Sequence, residues 1–274
     1  MTTAQAQSTQ DYIILSAFLS LYVGYTIKEV NRVRVVADLH THTISSGHAY
    51  STITENAMAA SKIGLTILGM TDHGPSMPGA PHLYHFGNLS VIPKHLYNVK
   101  ILCGVEANII SYEGDLDIPV RYLKRMDLVI VGLHTICYPG GTLEQNTKTY
   151  LAAMHNPYTD IMAHPGRKDF ELDLEKIAYY SAKLGVAVEI NNSSLSQNIQ
   201  KNWENCRLFA KYAAKYQSLI ALGSDAHYWD KVGDLTLALS LVKEAEIKED
   251  SVLNTSEQKI ISYLRNRRKQ RRNK

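Results

Sequence analysis

The sequence contains few cysteines and no cysteine pair. Cys103, Cys137 and Cys206 lie far apart and form no CxxC motif. Their spacing argues against a disulfide framework and against a zinc site built from thiolates. A reducing cytoplasm is therefore the expected compartment. The sequence also has no GxGxxG motif, no internal repeat and no low-complexity linker.

Acidic residues are absent from the last ten positions, 265–274, which carry seven positive charges. Subtracting these seven from the net charge of +3 leaves −4 for the remaining 264 residues. The body of the chain is thus mildly acidic. We predict a solvated, frayed basic tail over residues 266–274. Weak contact of this tail with nucleic acid or anionic lipid is the alternative.

No apolar stretch reaches the length of a membrane-spanning helix. The longest, YIILSAFLSLYVGYTI, covers only residues 12–27, whereas a span needs about 20 residues. The eleven residues before it contain no Lys or Arg, which is unlike a signal peptide. We predict a packed or interfacial helix in this N-terminal apolar extension, residues 1–33. A membrane anchor and a start-site artefact are the alternatives.

Short apolar runs alternate with helical stretches beyond residue 33, within a chain that is 45% hydrophobic and 20% charged. The predicted strands are 34–39, 66–71, 99–105, 127–132, 160–163, 187–190 and 219–222. The predicted helices are 54–63, 90–97, 144–154, 173–184, 202–215 and 236–244. This alternation predicts parallel βα units in one α/β domain over residues 34–265. A hairpin near residues 109–119, turning at Gly114, is expected to interrupt it.

Side chains able to bind a metal follow six of the seven predicted strands. In barrels the C-terminal ends of the strands carry the active site. Residues i and i+2 of a strand point to the same side, so His40 and His42 would face one ion together, as would Asp225 and His227. The candidate metal ligands are His40, His42, His48, His73, Glu106, His134, His164, Asp225 and His227.

Nine ligands are too many for one or two ions that must also bind water. Shared among three divalent ions they leave open positions for water and substrate. Glu106 is the expected bridging carboxylate. Zinc is the expected metal, with manganese or iron as alternatives. Three such ions leave the pocket strongly positive, which favours a phosphate ester over a neutral amide.

These residues resemble the PHP (polymerase and histidinol phosphatase) superfamily, and most closely its YcdX-type phosphatase branch. The stretches that carry the resemblance are DLHTH, HTHTISSGHAYST, TDHGPSMPGAPH, GVEANI, AHPG, EINNSS and GSDAH. The resemblance covers roughly residues 34–265. It implies a distorted (β/α)7 TIM-like barrel and a trinuclear metal site, with the nine residues above in the family's ligand positions.

The predicted function is hydrolysis of phosphate monoesters of small molecules by a metal-bound hydroxide. We assign catalytic roles to Glu106, His134 and Asp225. We expect Asp38 and Asp72 to support the ligands through hydrogen bonds rather than to bind metal. Further expectations concern the pocket, where Arg167 is a candidate phosphate contact, Asn191 either binds substrate or caps a turn, and His82 and His85 shape the rim.

Three other functions stay open. A metal-dependent nuclease or phosphodiesterase would use the basic tail, but the body shows no basic groove interleaved with aromatic residues, so nucleic acid is not the favoured partner. An amidohydrolase-type deacylase usually carries a lysine at the place of His134, and its two metals would leave His48 and His73 without a role. A non-catalytic metal-binding module is the third. Homo-oligomer formation is left open.

Overall fold

The computed structural model describes residues 34–272, and the predicted helix at residues 12–27 lies outside them. The strands are β1 Ala37–Thr41, β2 Ile67–Met70, β3 His95–Leu96, β4 Val99–Asn108, β5 Leu128–Gly132, β6 Ile161–Met162, β7 Ala187–Asn191 and β8 Ile220–Gly223. The helices are α1 Ile53–Lys62, α2 Leu83–Gly87, α3 Val120–Leu123, α4 Leu143–His155, α5 Leu174–Leu184, α6 Asn192–Ser196, α7 Gln200–Tyr216, α8 Thr236–Glu244 and α9 Glu257–Arg272.

Seven parallel strands form one curved sheet in the order β1-β2-β4-β5-β6-β7-β8. Its two outer strands approach each other, because the His42 amide donates to the carbonyl of Ala226 and the Asp225 amide to that of His40, at 2.9 and 2.8 Å. The sheet is thereby nearly closed into a barrel with helices around it. The predicted TIM-like α/β architecture is confirmed. Among residues 34–272, no helix is both long and apolar enough to cross a membrane.

Local sequence signals explain where several helices begin. Thr52 and Glu55 form a capping box at the start of α1, and Thr142 and Gln145 form another at the start of α4. Each pair satisfies two amide groups that the first helical turn leaves without partners. Strands β2, β5, β7 and β8 are buried at every residue, as expected for a parallel sheet covered on both faces.

The predicted helix over residues 90–97 is wrong. A short 3-10 turn, Leu89–Val91, is followed by β3, which pairs antiparallel with β4. Pro93 explains the difference, because proline lacks an amide hydrogen and pushes the preceding residue toward an extended conformation. Ile92 accordingly has φ −74° and ψ 127°. The predicted hairpin is reduced to a single bridge between Ile109 and Leu116.

The predicted frayed tail is also wrong for the residues that the structure describes, because α9 continues to Arg272. Ile260 and Leu264 of this helix are buried against the apolar core inside the barrel. Arg267 is only 6% exposed and donates to the carbonyl of Thr159 at 2.6 Å. Arg271 forms an ion pair with the buried Asp160. Basic residues in this segment are therefore part of the folded domain.

Candidate metal centre

The candidate ligands converge at the C-terminal edge of the parallel strands. Two of them, His40 and Glu106, lie in β1 and β4. The others lie in the loops that follow β1, β2, β5, β6 and β8, namely His42, His48, His73, His134, His164, Asp225 and His227. The closing of the sheet brings these loops together although they are up to 185 positions apart in the sequence.

Glu106 occupies the centre of this cluster and is fully buried. Its two oxygens face ring nitrogens of different histidines. Oε1 lies 2.9 Å from Nε2 of His164 and 3.2 Å from Nε2 of His134. Oε2 lies 2.8 Å from Nδ1 of His73, 3.3 Å from Nε2 of His40 and 3.5 Å from Nε2 of His42. One carboxylate thus touches five imidazoles.

Asp225 forms a second centre beside the first. Its Oδ1 lies 3.1 Å from Nε2 of His42, 3.7 Å from Nε2 of His40 and 3.5 Å from Nδ1 of His227. Its other oxygen contacts Arg167 and, at 3.3 Å, Nδ2 of Asn191. The carboxylate therefore joins the histidine cluster to an arginine at the barrel mouth.

Three groups of ligand atoms within the described residues lie close enough together to hold an ion, since the atoms of each are within 4.8 Å of one another. His42 and His73 each belong to two groups. His48 and His164 belong to none. The exposed ring of His48 lies 5.0 Å from that of His73 and 4.8 Å from that of His227, and Nε2 of His164 lies 2.9 Å from Oε1 of Glu106. The groups are His42, His73 and His227; His40, His42 and Asp225; and His73, Glu106 and His134.

The third group contains three buried polar atoms that make no hydrogen bond of acceptable geometry, namely Nδ1 of His73, Oε2 of Glu106 and Nε2 of His134, although the first two lie 2.8 Å apart. A buried polar atom left unsatisfied costs about 1–3 kcal/mol, and more when the group is charged. Three such atoms converging on one point fit a divalent cation, which would accept all three as ligands. Imidazole nitrogen and carboxylate oxygen are also the donors that zinc takes in catalytic sites.

The surroundings of His42, His164 and Glu106 favour protonation states that suit metal binding. Burial and the nearby His73 lower the pKa of His42 well below its usual range. Burial and Arg167 lower the pKa of His164 to about 4. Burial acts to raise the pKa of Glu106, but the surrounding histidines outweigh it and lower that pKa well below its usual range. Neutral imidazoles and an ionised carboxylate are the forms that bind metal.

Two loops at the cluster adopt backbone conformations that side chains other than glycine rarely take. His164 has φ +30° and Asp225 has φ +57°. Such conformations cost about 1–3 kcal/mol each and tend to occur at functional sites. Hydrogen bonds hold both residues, from the His164 amide to Glu189 at 3.0 Å and from the Asp225 amide to the carbonyl of His40 at 2.8 Å.

A second layer of polar residues orients the histidines. Glu189 contacts Nδ1 of His40 at 2.8 Å, and Ser46 contacts Nδ1 of His42 at 3.0 Å. Contacts of this kind fix the tautomer and orientation of a ligand histidine. Sequence reasoning missed both residues. Glu189 had a signal, because it ends a predicted strand with a carboxylate, whereas nothing in the sequence distinguishes Ser46.

The contacts of the two aspartates next to ligand histidines support the predicted role in hydrogen bonding. Asp38 is fully buried and accepts hydrogen bonds from Ser224 and from the Gly233 amide, at 2.5 to 3.0 Å. Asp72 accepts from Thr43 and Ser46 at 2.7 to 2.8 Å. Both carboxylates thus tie the first ligand segment to neighbouring strands or loops.

Arg167 and Asn191, the two candidate substrate contacts, differ in how fully their polar atoms are hydrogen-bonded within the protein. Arg167 engages Asp225 through Nη2 and Ser194 through Nε, and its side chain is 21% exposed. Asn191 is 1% exposed; its Oδ1 caps α6 at Ser194, and its Nδ2 contacts Glu189 and Asp225. These contacts favour the turn-capping alternative for Asn191, while Arg167 stays a candidate for contact with phosphate.

The two histidines predicted to shape the rim of the pocket, His82 and His85, make different contacts. His82 caps α2, because its Nδ1 accepts from the Tyr84 amide at 3.3 Å. His85 lies with Nε2 3.7 Å from Oδ2 of Asp72, beside the loop that carries His73. Neither histidine belongs to the three groups of ligand atoms. That both shape the rim of the pocket stays a prediction.

Proteins of known sequence resemble this chain over most of its length. A probable phosphatase of Thermoanaerobacter sp. (strain X514) is 50% identical over 237 residues, covering 86% of this chain and 97% of that protein. A probable phosphatase of Caldanaerobacter subterraneus subsp. tengcongensis is 45% identical over 239 residues, covering 87% of this chain and 94% of that protein. Both alignments cover more than four fifths of this chain.

A solved structure supports the fold. The crystal structure of histidinol phosphate phosphatase from Lactococcus lactis, complexed with zinc, L-histidinol and phosphate, aligns with a TM-score of 0.53 at 19% identity. The alignment covers 77% of this chain and 94% of that chain. The sequence also matches the family described as PHP domain over residues 38–262. The membership predicted from the motifs is thus confirmed, and the chain belongs to the PHP domain family.

Proposed function

We propose that this chain hydrolyses phosphate monoesters of small molecules at a centre of three divalent ions. The observation that carries the proposal is the position of Glu106, whose two oxygens lie within 3.5 Å of five histidine nitrogens. Two relatives that share about half of their residues with this chain are named probable phosphatases. The Lactococcus lactis protein of similar fold was solved with zinc and phosphate.

Three ions fit the arrangement of donors better than one. The three groups of ligand atoms are distinct, and they share only His42 and His73. A single ion held by His73, Glu106 and His134 would leave His40, Asp225 and His227 without a metal. Zinc is the proposed metal because imidazole and carboxylate are its common ligands, and manganese and iron stay alternatives.

When bound, clustered divalent ions generate a nucleophile near neutral pH and stabilise the attacking and leaving oxygens of phosphoryl transfer. The protein's own groups prepare the site for this chemistry. Glu106 and Asp225 supply negative charge between the histidines, and His134 presents Nε2 toward Glu106 at 3.2 Å. We propose that Arg167, which pairs with Asp225 at the edge of the cluster, contacts a phosphate oxygen of the substrate.

The nuclease alternative depends on the basic C-terminal segment, and the fold weakens it. Arg267 donates to the Thr159 carbonyl, Arg268 to Asp127, and Arg271 to Asp160. The guanidinium groups of Arg267 and Arg271 are buried in these contacts and are poorly placed to hold a phosphate backbone, whereas the exposed Arg268 is already paired with Asp127. A small phosphorylated molecule therefore remains the proposed substrate.

We also propose a compartment and a domain division for this chain. All three cysteines are free thiols, and Cys103 and Cys206 are buried. Free thiols fit the proposed reducing cytoplasm. We propose that the catalytic domain begins at residue 34 as predicted and extends beyond residue 265 to the end of α9 at Arg272, with residues 1–33 as an extension.

A direct experiment compares three substrates on the metal-loaded protein: para-nitrophenyl phosphate, bis-para-nitrophenyl phosphate and single-stranded DNA. We expect the monoester to be turned over fastest. We also expect a chelator to abolish turnover, zinc or manganese to restore it, and His73→Ala to prevent that recovery. Elemental analysis should give three ions per wild-type chain.

Each part of the proposal has an outcome that contradicts it. Preference for the diester or for DNA would favour the nuclease. One ion per chain would remove the three-ion centre. A protein that binds metal fully and hydrolyses none of the three esters would favour the deacylase or the non-catalytic module, and an acylated amine substrate would then separate those two.

A further inference from the structure

Asp117 lies outside the cluster of candidate ligands but contacts the residue behind one of them. Its Oδ1 accepts a hydrogen bond from the backbone N–H of Asn108 at 2.9 Å. Its Oδ2 accepts from Nδ2 of Asn108 at 2.6 Å and from the Ser76 amide at 2.9 Å. All three partners are donors, and an ionised carboxylate is a pure acceptor. The surroundings thus fit Asp117 in its charged form.

Asp117 and the Gly74 carbonyl together determine which way the side-chain amide of Asn108 faces. The side of that amide that meets Oδ2 of Asp117 must be the NH₂ group, because the carboxylate only accepts. The same NH₂ group also donates to the Gly74 carbonyl at 3.1 Å. The carbonyl oxygen of Asn108 must then point the other way, where it lies 2.7 Å from Nδ1 of His134.

The orientation of Asn108 fixes the tautomer of His134 in turn. A carbonyl oxygen accepts, so Nδ1 of His134 must carry the proton. The lone pair is then on Nε2, which is buried, has no hydrogen-bond partner and faces Glu106 at 3.2 Å. An imidazole can bind a metal through a nitrogen only if that nitrogen carries no proton.

We propose that Asp117 is a positioning residue that holds His134 in its Nδ1–H tautomer through the amide of Asn108. This inference rests on the proposed role of His134 as a metal ligand. It adds a residue, 17 positions before His134 in sequence, that prepares the ligand before any metal arrives.

The same carboxylate also fixes the loop that carries another candidate ligand. Besides the Ser76 amide, it packs against Gly74, where an added Cβ atom would lie 2.3 Å from Oδ1 of Asp117. Gly74 directly follows His73. Asp117 thus joins the His73 loop to the His134 pair, and Nδ1 of His73 and Nε2 of His134 are two of the three converging atoms without hydrogen-bond partners.

The test replaces Asp117 by asparagine, which keeps the size of the side chain but turns one acceptor into a donor. That NH₂ group must face one of the three donors that Asp117 now satisfies. We expect a smaller fraction of His134 in the Nδ1–H tautomer, measured from the ¹⁵N shifts of its ring in metal-free protein at pH 8. We also expect a roughly 10–100-fold loss of zinc affinity, the usual effect of losing an outer hydrogen-bond partner.

Asp115→Asn is the matched control, because Asp115 is an exposed aspartate of the same loop whose side chain contacts only Ser111. Asn108→Leu supplies a second test of these contacts, because it removes the carbonyl that accepts from Nδ1 of His134 and leaves Asp117 in place. We expect this variant also to have a smaller fraction of His134 in the Nδ1–H tautomer.

The outcomes separate this inference from the proposed function. Ring shifts and zinc affinity that match those of Asp115→Asn would overturn the role of Asp117, and so would an Nε2–H tautomer in the metal-free wild-type protein. If the tautomer responds as expected while the wild-type protein hydrolyses no phosphate ester, the role of Asp117 stands and only the proposed function fails. If Asp117→Asn does not fold, a wild-type tautomer fraction in Asn108→Leu overturns the inference, and a reduced fraction supports it.

Discussion

Oε1 of Glu189 lies 2.8 Å from Nδ1 of His40, whose other ring nitrogen, Nε2, faces Glu106 at 3.3 Å and Asp225 at 3.7 Å. Burial acts to lower the pKa of His40, but Glu189 and the other two carboxylates outweigh it and raise that pKa well above its usual range. His40 thus joins a carboxylate behind the cluster to the two carboxylates inside it.

We expect Glu189→Gln to weaken zinc binding by roughly 10–100-fold, as for other outer-layer partners of ligand histidines. The carboxylate accepts from His40 on one oxygen and from the His164 amide and Asn191 on the other, so an amide group would turn an NH₂ toward a donor. Competition with a chelator measures the affinity. Glu204→Gln, on the exposed face of α7, is the control, and equal affinities in the two variants would contradict the prediction.

Glu106→Gln is expected to have a larger effect than Glu189→Gln. The substitution removes the charge that faces five histidines and places an NH₂ group against ring nitrogens that now face an acceptor. We expect the variant to lose at least one ion per chain and its monoester turnover to fall well beyond the roughly 10–100-fold typical of an outer-layer change. Elemental analysis and steady-state kinetics check this, and full metal content with near-normal turnover would refute the central role of Glu106.

The cysteines are expected to react slowly with alkylating reagents. Burial raises the pKa of Cys103 and of Cys137 to about 11, and that of Cys206 to about 12. Only the thiolate reacts, and a thiol in an unfolded chain has a pKa of about 8.5. At pH 8 the native protein should therefore be alkylated roughly a hundredfold or more slowly than in urea. The rate should rise with pH as thiolate forms, and mass spectrometry of the labelled peptides measures it.

We also expect the protein to retain its phosphatase activity after treatment with iodoacetamide. None of the three groups of ligand atoms in the described residues includes a cysteine. Rapid inactivation that follows the labelling of Cys137, three residues after His134, would show that this thiol acts in the site after all.

Sequence reasoning located the ligand cluster because the fold makes strand ends converge. His40 and Glu106 are 66 positions apart, yet parallel strands bring their C-terminal ends to one edge of the barrel. Residues that follow different strands in the sequence can therefore be predicted to be neighbours in space. This prediction needs only the positions of the strands.

The polar residues that orient the ligand histidines could not be predicted from strand positions, because their contacts depend on atomic distances. Glu189 fits behind His40 only because Gly223 has no side chain there; an added Cβ would lie 2.1 Å from Oε1 of Glu189. Nothing in the sequence indicates that this glycine, rather than another, must stay small. The failed helix at residues 90–97 had a readable local cause in Pro93, whereas the fold of the basic segment depends on tertiary contacts.

Arg271 supplies the clearest test of those tertiary contacts. It pairs with Asp160, its side chain is 7% exposed, and that of Asp160 is 1% exposed. Arg271→Met would leave the carboxylate buried without its cation, which typically costs about 3–5 kcal/mol. For a domain of this size we expect Tm to fall by about 6–20 °C. The control is Arg268→Met, whose pair with Asp127 is exposed and whose loss should cost less than about 1 kcal/mol.

The pH dependence of the stability lost in Arg271→Met identifies the cause of that loss. Burial raises the pKa of Asp160, and Arg271 and hydrogen bonds act to lower it. Without Arg271 that pKa rises further above its unfolded value, so the folded variant takes up a proton more readily than the unfolded chain as pH falls. The stability gap between Arg271→Met and the wild-type protein should therefore shrink between about pH 7 and pH 5. A gap that stays constant over this range in urea titrations would mean that lost packing, and not the unpaired carboxylate, destabilises the variant.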